Sequence, residues 1–262
     1  MNPPRSVVLP VSSSSRHFQL ILEYEGTDFQ GWQIQPRGRT VQGVLQEVAR
    51  AVFKQPVKII AAGRTDRGVH ALGQVAHFAV ATRMSAGAVQ SAFNAYLPDD
   101  VVVRDVREVS SRFHARYSAK AKVYRYTLLT QQWPRPRCRR FVWHYPHAVD
   151  VDRLRRAARV LVGEQDFRSF QSVDPARPER SRDTVRHVYR VDVWRQEACV
   201  HIEVEADGFL YKMMRAMVGT LLEVGRDDDP HKAMRRVLEA RDRCRAGPTA
   251  PAQGLTLMRV LY

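Results

Sequence analysis

Apolar positions along the chain fall into short alternating runs separated by helical stripes, and the order of these elements recurs. Residues 17–24, HFQLILEY, alternate as a strand does, while in TVQGVLQEVARAVF (40–53) Val41, Val44, Leu45, Val48 and Val52 return at helical spacing. VKIIAAG (57–63) and GQVAHFAV (73–80) read as two more strands. AGAVQSAFNAYLP then sets Val89, Ala92, Phe93 and Tyr96 on one helical face and stops at Pro98, ahead of a strand over 101–109, VVVRDVREV. The first half therefore predicts β-α-β-β-α-β.

The second half repeats that order without sequence identity to the first. KVYRYTLLT (122–130) is strand-like, and DVDRLRRAARVLVG (150–163) predicts a helix with Asp150 as N-cap and Gly163 past its end. HVYRVDVWRQ and ACVHIEVEAD form a hairpin pair. Leu210, Met213, Met214, Met217, Val218 and Leu221 follow as an apolar stripe of period 3.6. A short basic helix starts near Asp229 and Pro230, and GLTLMRVLY closes the chain as a strand. A β-α-β-β-α-β order is the ferredoxin-like unit, so the expected fold class is α+β, two such halves whose sheets join side by side. The expected organisation is a disordered N-terminal tail over 1–16, one half over 17–112 and a second over 113–262.

Length fits this plan, since 262 residues suffice for a core that buries roughly 70 to 75% of the unfolded surface. Charge changes the picture more. There are 42 Lys and Arg against 27 Asp and Glu, a net +15 that exceeds what solubility asks and points to a polyanionic partner. Arginine dominates, which favours forked contacts to phosphates and bases. Two loops concentrate it: PRPRCRR (134–140) carries Arg135, Arg137, Arg139 and Arg140, and DPARPERSRDTVRH (174–187) carries Arg177, Arg180, Arg182 and Arg186. Such loops suit RNA backbone contacts, though a solvated basic loop has the same composition.

Three cysteines, Cys138, Cys199 and Cys244, lie far apart without a CxxC pair, as expected of reduced thiols in a cytoplasmic protein. No apolar run reaches membrane-spanning length, and the start of the chain, broken by Pro10, does not read as a secretory leader. GxxxxGK[ST] is absent and no convincing GxGxxG occurs, which argues against nucleotide-dependent chemistry. His70 and His77 lack neighbouring ligands for a metal, and the Asp227 to Asp229 run reads as the acidic start of a helix.

The most chemical stretch is AAGRTDRGVHALGQVAHF (61–78), where Asp66 stands between Arg64 and Arg67 with Gly63 and Gly68 outside them. A carboxylate among guanidinium groups is favoured in its ionised form, so it makes a poor general acid and a plausible nucleophile or stabiliser of a sugar carbon that develops positive charge. The glycines permit a tight turn and close approach of a ligand. From these residues alone, an ordinary ion-paired turn is the more common arrangement.

GRTDRGVHALGQVAHF resembles the catalytic motif GRTDAGVHAxGQVxHF of the tRNA pseudouridine synthase A family. Further blocks are similar and in the same order: EYEGTDFQGWQIQP with TVQGVLQ, LPDDVVV, FHARYSAKAKVYRY, GEQDFRSF, DGFLYKMMRAMVGTLLEVG and APAQGLTLMRVLY. The resemblance implies a pseudouridine synthase fold with a central basic cleft, and isomerisation of uridine to pseudouridine in RNA without cofactor or metal. It matches Asp66 to the essential aspartate, with attack at C1′ or at the base left open. It also matches Arg64 to a residue that holds the target nucleotide out of its stack, Tyr124 to one that stacks on the uracil and transfers protons, and Arg215 to the aspartate's basic partner. The resemblance further implies a homodimer that binds tRNA across both subunits and modifies the anticodon stem-loop, commonly positions 38 to 40. One position departs: Arg67 stands where the family has alanine, and it is expected to face RNA together with Arg135, Arg137, Arg139, Arg140, Arg180 and Arg182. The competing account is a catalytically inactive RNA-binding protein or RNA chaperone of the same fold; the absence of an RNP1-like aromatic pattern speaks against an RRM.

Overall fold

A computed structural model of the protein describes residues 15–173 and 183–262. The first half runs β1 (Arg16–Tyr24), α1 (Val41–Phe53), β2 (Ile60–Ala61), β3 (His70–Val80), α2 (Ala86–Tyr96) and β4 (Val101–Val109). The second runs β5 (Ala121–Leu129), β6 (Trp143–His144), α3 (Val151–Ala158), β7 (Gly163–Asp166), β8 (Val185–Gln196), β9 (Cys199–Ala206), α4 (Met213–Val224), α5 (Pro230–Ala240) and β10 (Leu255–Leu261).

The strands form one mixed sheet in the order β4-β1-β3-β10-β5-β9-β8-β7, with β2 paired to β3 and β6 to β5. Within it, β4-β1-β3-β2 and β10-β5-β9-β8 each follow the order fourth, first, third, second, so the two ferredoxin-like units expected from the sequence are present and abut. They join where β3 and β10 run parallel through Thr256 opposite His70 and Leu257 opposite Ala71. Strand periodicity explains which residues bury: Phe18, Leu20, Leu22 and Tyr24, alternate positions of β1, enter a core that also takes residues from all five helices. Each fully buried side chain of that size contributes roughly 1.5 to 3 kcal/mol. The other side of the sheet is partly covered by residues 113–115, where Ala115 and Phe113 pack on Val75, Ala62 and Ile21.

Caps fall where side-chain chemistry places them. Thr40, Ser85, Asp150 and Asp229 each accept from a backbone N–H in the first turn of the helix they precede, and Pro230 opens α5. Four departures from expectation have physical causes. The strand expected over 57–63 reduces to Ile60–Ala61, because Val57 and Ile59 alternate inward against α1 and not along a ladder; Gln42 Nε2 donates to the Ile59 carbonyl at 2.8 Å. The helix expected over 150–163 ends at Ala158 and tightens into a 3-10 turn, Arg159–Leu161, before Gly163 at φ +105° starts β7. Leu210 precedes α4 instead of belonging to its stripe, separated from it by Lys212 at φ 58°. Finally, β1 begins at Arg16, whose guanidinium bonds both Glu108 oxygens; residues 1–14 of the expected tail lie outside the described residues.

Candidate active site

Asp66 lies on the segment that leaves β2 and enters β3. Along that edge of β3, β2 pairs with Ala76 and His77 while β10 pairs with His70 and Ala71. The sheet parts between them, and the Asp66 segment fills the parting. Its backbone is held from several directions. Trp32 N–H donates to the Thr65 carbonyl at 3.0 Å, Gln74 Nε2 donates to the Gly63 carbonyl at 2.9 Å, and the Thr65 and Tyr24 hydroxyls share a hydrogen bond of 2.8 Å. Burial pushes the Tyr24 phenol up to about 12, so it stays a hydroxyl in this network. Val69 N–H closes a turn on the Asp66 carbonyl at 3.2 Å, with Gly68 at φ +77° in the position where a side chain strains the backbone.

The loop between β1 and α1 presses against this turn. Gly26 is so close that an added Cβ would lie 2.0 Å from the Val69 carbonyl oxygen. Its N–H donates to His70 Nδ1 at 3.0 Å, which leaves Nε2 as the protonated nitrogen donating to the Arg140 carbonyl at 2.8 Å. Burial lowers the His70 pKa, in keeping with a neutral ring that accepts at one nitrogen and donates at the other.

Arg215 reaches Asp66 from α4. Its NH1 donates to Asp66 Oδ2 at 3.2 Å while Nε donates to the Ala250 carbonyl at 2.7 Å, and Ala250 N–H returns a bond to the Arg215 carbonyl at 3.1 Å. The pair is well shielded, with 14% of the Arg215 side chain and 18% of the Asp66 side chain exposed. Tyr124, on β5, is buried with its ring edge-on to Phe209 at 4.8 Å. Desolvation first, then Tyr24 and Asp66, push the Tyr124 phenol far above its ordinary value, so it is a neutral hydroxyl and a poor base.

These groups face one cavity of about 790 Å³, lined among others by Arg64, Asp66, Arg67, Tyr124 and Arg215. Five residues spread over 152 positions of sequence thus line one cavity, with Arg64 and Arg67 the exposed members. The basic loop over 134–140 does not line this cavity. Arg135, Arg137 and Arg139 are exposed outside it, and Arg140 pairs with Glu25 at 2.9 Å and Asp28 at 3.8 Å. Arg180 and Arg182 lie outside the described residues. The cavity also takes Lys122, Arg116 and Phe209, which sequence reasoning did not single out, and Leu210, which it placed in the apolar stripe of α4. Lys122 carried a readable signal: it is two positions from Tyr124 in a strand, hence on the same face.

The chain matches the family model described as tRNA pseudouridine synthase over residues 20–118 and 157–262. It is 40% identical over 247 residues to the tRNA pseudouridine synthase A of Thermoanaerobacter pseudethanolicus, covering 94% of this chain and 100% of that one. It is 43% identical over 244 residues to the tRNA pseudouridine synthase A of Syntrophotalea carbinolica, covering 93% and 95%. Among solved structures, a Cbf5-Nop10-Gar1 complex is similar at 14% identity and a TM-score of 0.36, over 91% of this chain and 57% of the other.

Proposed function

Because the chain belongs to the tRNA pseudouridine synthase family, we propose that it isomerises uridine to pseudouridine in the anticodon stem-loop of tRNA, at positions 38 to 40, with Asp66 as the nucleophile. The observation that carries this reading is the Asp66 to Arg215 contact of 3.2 Å at a cavity shared with Tyr124. The Asp66 carboxylate bonds transiently to the nucleoside and is released again as product forms; meanwhile the N1 to C1′ bond breaks, uracil turns, C5 bonds to C1′, the C5 hydrogen leaves to solvent and N1 gains a proton. Substrate and product are isomers, so the balance asks for no cofactor. Arg215 orients the Asp66 carboxylate through its second bond to Ala250, which keeps the guanidinium from following the substrate. Tyr124 offers a ring face to the extruded base and a hydroxyl that donates. Arg64 and Arg67, exposed on the same segment, meet the RNA and help hold the nucleotide out of its stack, at a cost of a few kcal/mol.

The reading extends to a cytoplasmic homodimer that binds tRNA across both subunits, and to a division of the chain into halves over 17–112 and 113–262 around the cavity. The basic loop over 134–140 then adds backbone contacts outside the cavity.

Tritium release from tRNA carrying [5-³H]uridine tests the chemistry, since forming the C5 to C1′ bond expels the C5 hydrogen. Wild-type protein is expected to release tritium, and a folded, tRNA-binding Asp66→Ala is expected to release none. Tight tRNA binding without release by wild type would sink the reading and favour the RNA-binding account, with Arg67 the first residue to revert to alanine.

A further inference from the structure

The cavity holds a cation to which the reaction proposed above gives no task. Lys122 lies two positions before Tyr124 on β5, and strand periodicity turns both side chains to the same face, where both line the cavity. Its stem passes Gly63, where an added Cβ would stand 3.3 Å from Nζ and 3.5 Å from Cε, so the ammonium ends at the root of the Asp66 segment.

The surroundings of that ammonium are lopsided. Arg116, from the segment ahead of β5, and Arg186, from β8, both repel it, and Asp207, just after β9, is the acid that attracts it. Arg186 folds over Gly208, with its Nε 3.3 Å from the place of a Cβ there, and its NH1 stands 3.4 Å from Asp183. Among the described residues, no hydrogen bond or salt bridge engages Lys122 itself. Other charged groups on the cavity wall are Lys58, Arg64, Arg67 and Lys212, with Asp66 already paired to Arg215. Burial first, and then Arg116 and Arg186, bring the Lys122 pKa down to about 8. A fold gains no stability from setting the Lys122 ammonium, with Asp207 the acid that attracts it, beside two guanidinium groups in a partly desolvated place. An anion entering the cavity would relieve both the repulsion and the unmet hydrogen-bonding capacity of the ammonium.

We propose that Lys122 and Arg116, backed by Arg186, form an anion pocket beside the Asp66 segment that takes an RNA backbone phosphate adjacent to the target nucleotide. The proposal rests on the reading of Asp66 and its cavity as the place where that nucleotide reacts. It makes Lys122 a binding and register-setting residue, distinct from the loop arginines in being inside the cavity.

The test is tRNA affinity across a salt series at pH 7 for wild type, Lys122→Met, Lys122→Arg and Arg116→Gln, together with single-turnover tritium release and thermal melting. Lys122→Met is expected to bind about tenfold more weakly, with the salt slope reduced by roughly 0.7 to 0.9, the value for one lost phosphate contact. Lys122→Arg keeps the slope. Wild-type affinity is expected to fall between pH 7 and pH 9 as the free ammonium loses its proton, and Lys122→Met to lack that step. An unchanged slope and affinity in Lys122→Met, with or without an altered melt, overturns the proposal. Should Lys122→Met not fold, Arg116→Gln, exposed and therefore tolerant, carries the same slope criterion. Absence of tritium release from wild type with the slope difference intact would leave the anion pocket standing and remove the synthase reading instead.

Discussion

Replacing Gly26 by alanine puts one methyl group against the backbone that carries Asp66. Its Cβ would be 2.0 Å from the Val69 carbonyl oxygen, 2.5 Å from the carbonyl carbon and 3.0 Å from the Val69 nitrogen. Ordinary carbon contacts lie beyond about 3.2 Å, so the two backbones must separate by at least about 1 Å. Neither can yield by rotating a side chain. Gly26 is tied to His70 through its N–H, and Val69 to Asp66 through the turn hydrogen bond, so the displacement passes to the Asp66 carboxylate. A misplacement of about 1 Å at a reacting group costs on the order of a hundredfold in rate, while overpacking of this kind costs about 1 to 3 kcal/mol of stability. In a chain of this size that is a loss of roughly 2 to 10 °C in melting temperature. The assay is single-turnover tritium release at saturating tRNA, beside thermal melting and tRNA affinity. Gly87→Ala is the control, because nothing lies within 4 Å of a Cβ there in α2; it should melt no lower than wild type and react at the wild-type rate. A folded Gly26→Ala that reacts within about threefold of wild type would refute the argument that this contact places the carboxylate.

Arg215→Lys keeps the charge but cannot bond the Ala250 carbonyl and Asp66 together as the fork does at 2.7 and 3.2 Å. The single-turnover rate is expected to fall roughly ten- to a hundredfold with tRNA affinity within threefold of wild type; a loss confined to affinity would contradict the positioning role. Lys122→Met should stabilise the free protein. The folded pKa of about 8 lies below the unfolded value of 10.5, so wild type carries a penalty of about 3 kcal/mol that is complete below pH 8 and is relieved as pH rises toward 10.5. Urea unfolding at pH 7 and pH 9.5 is expected to show the stability gap shrinking by more than half; a gap independent of pH would mean that the ammonium is not the source.

Much of the architecture was legible because burial imposes a period. β1 alternates buried positions along its length, and α4 buries ten of its twelve residues, so the pattern survives in composition. What escaped the pattern was short or polar. GEQD, which forms β7, has no apolar alternation, and Trp143–His144, which forms β6, is too short to have a period. Over 57–63 the pattern was present but misleading, since alternation records burial and not the identity of the hydrogen-bond partner. In the site, Asp66 announced itself by its neighbours, whereas its pairing with Arg215, 149 positions away, was carried by the family resemblance and by no local signal. The arginine-rich loop shows the converse: Arg140 looks like a free RNA contact in sequence, yet its guanidinium meets Glu25 and its carbonyl meets His70. Composition counts charges but does not show which of them the fold has already engaged.

Both members of the central pair are placed by backbone meeting backbone. Asp66 depends on the approach of the Gly26 segment to Val69. Arg215 depends on Ala250, and that stretch is held to α4 where an added Cβ on Gly219 would come within 1.8 Å of the Pro248 carbonyl oxygen. The two contacts come from opposite halves of the chain and converge at the parting of the sheet beside β3, where no ladder hydrogen bonds fix the geometry. Side-chain packing in a core tolerates exchange among residues of similar volume, because rotamers and neighbours adjust. A carbonyl facing a glycine Cα has no such freedom. The cavity is therefore rigid where Asp66 and Arg215 are anchored and open where Arg64, Arg67 and Lys122 face it, a division that suits the proposed reaction, in which a fixed carboxylate meets a nucleotide that must arrive, turn and leave.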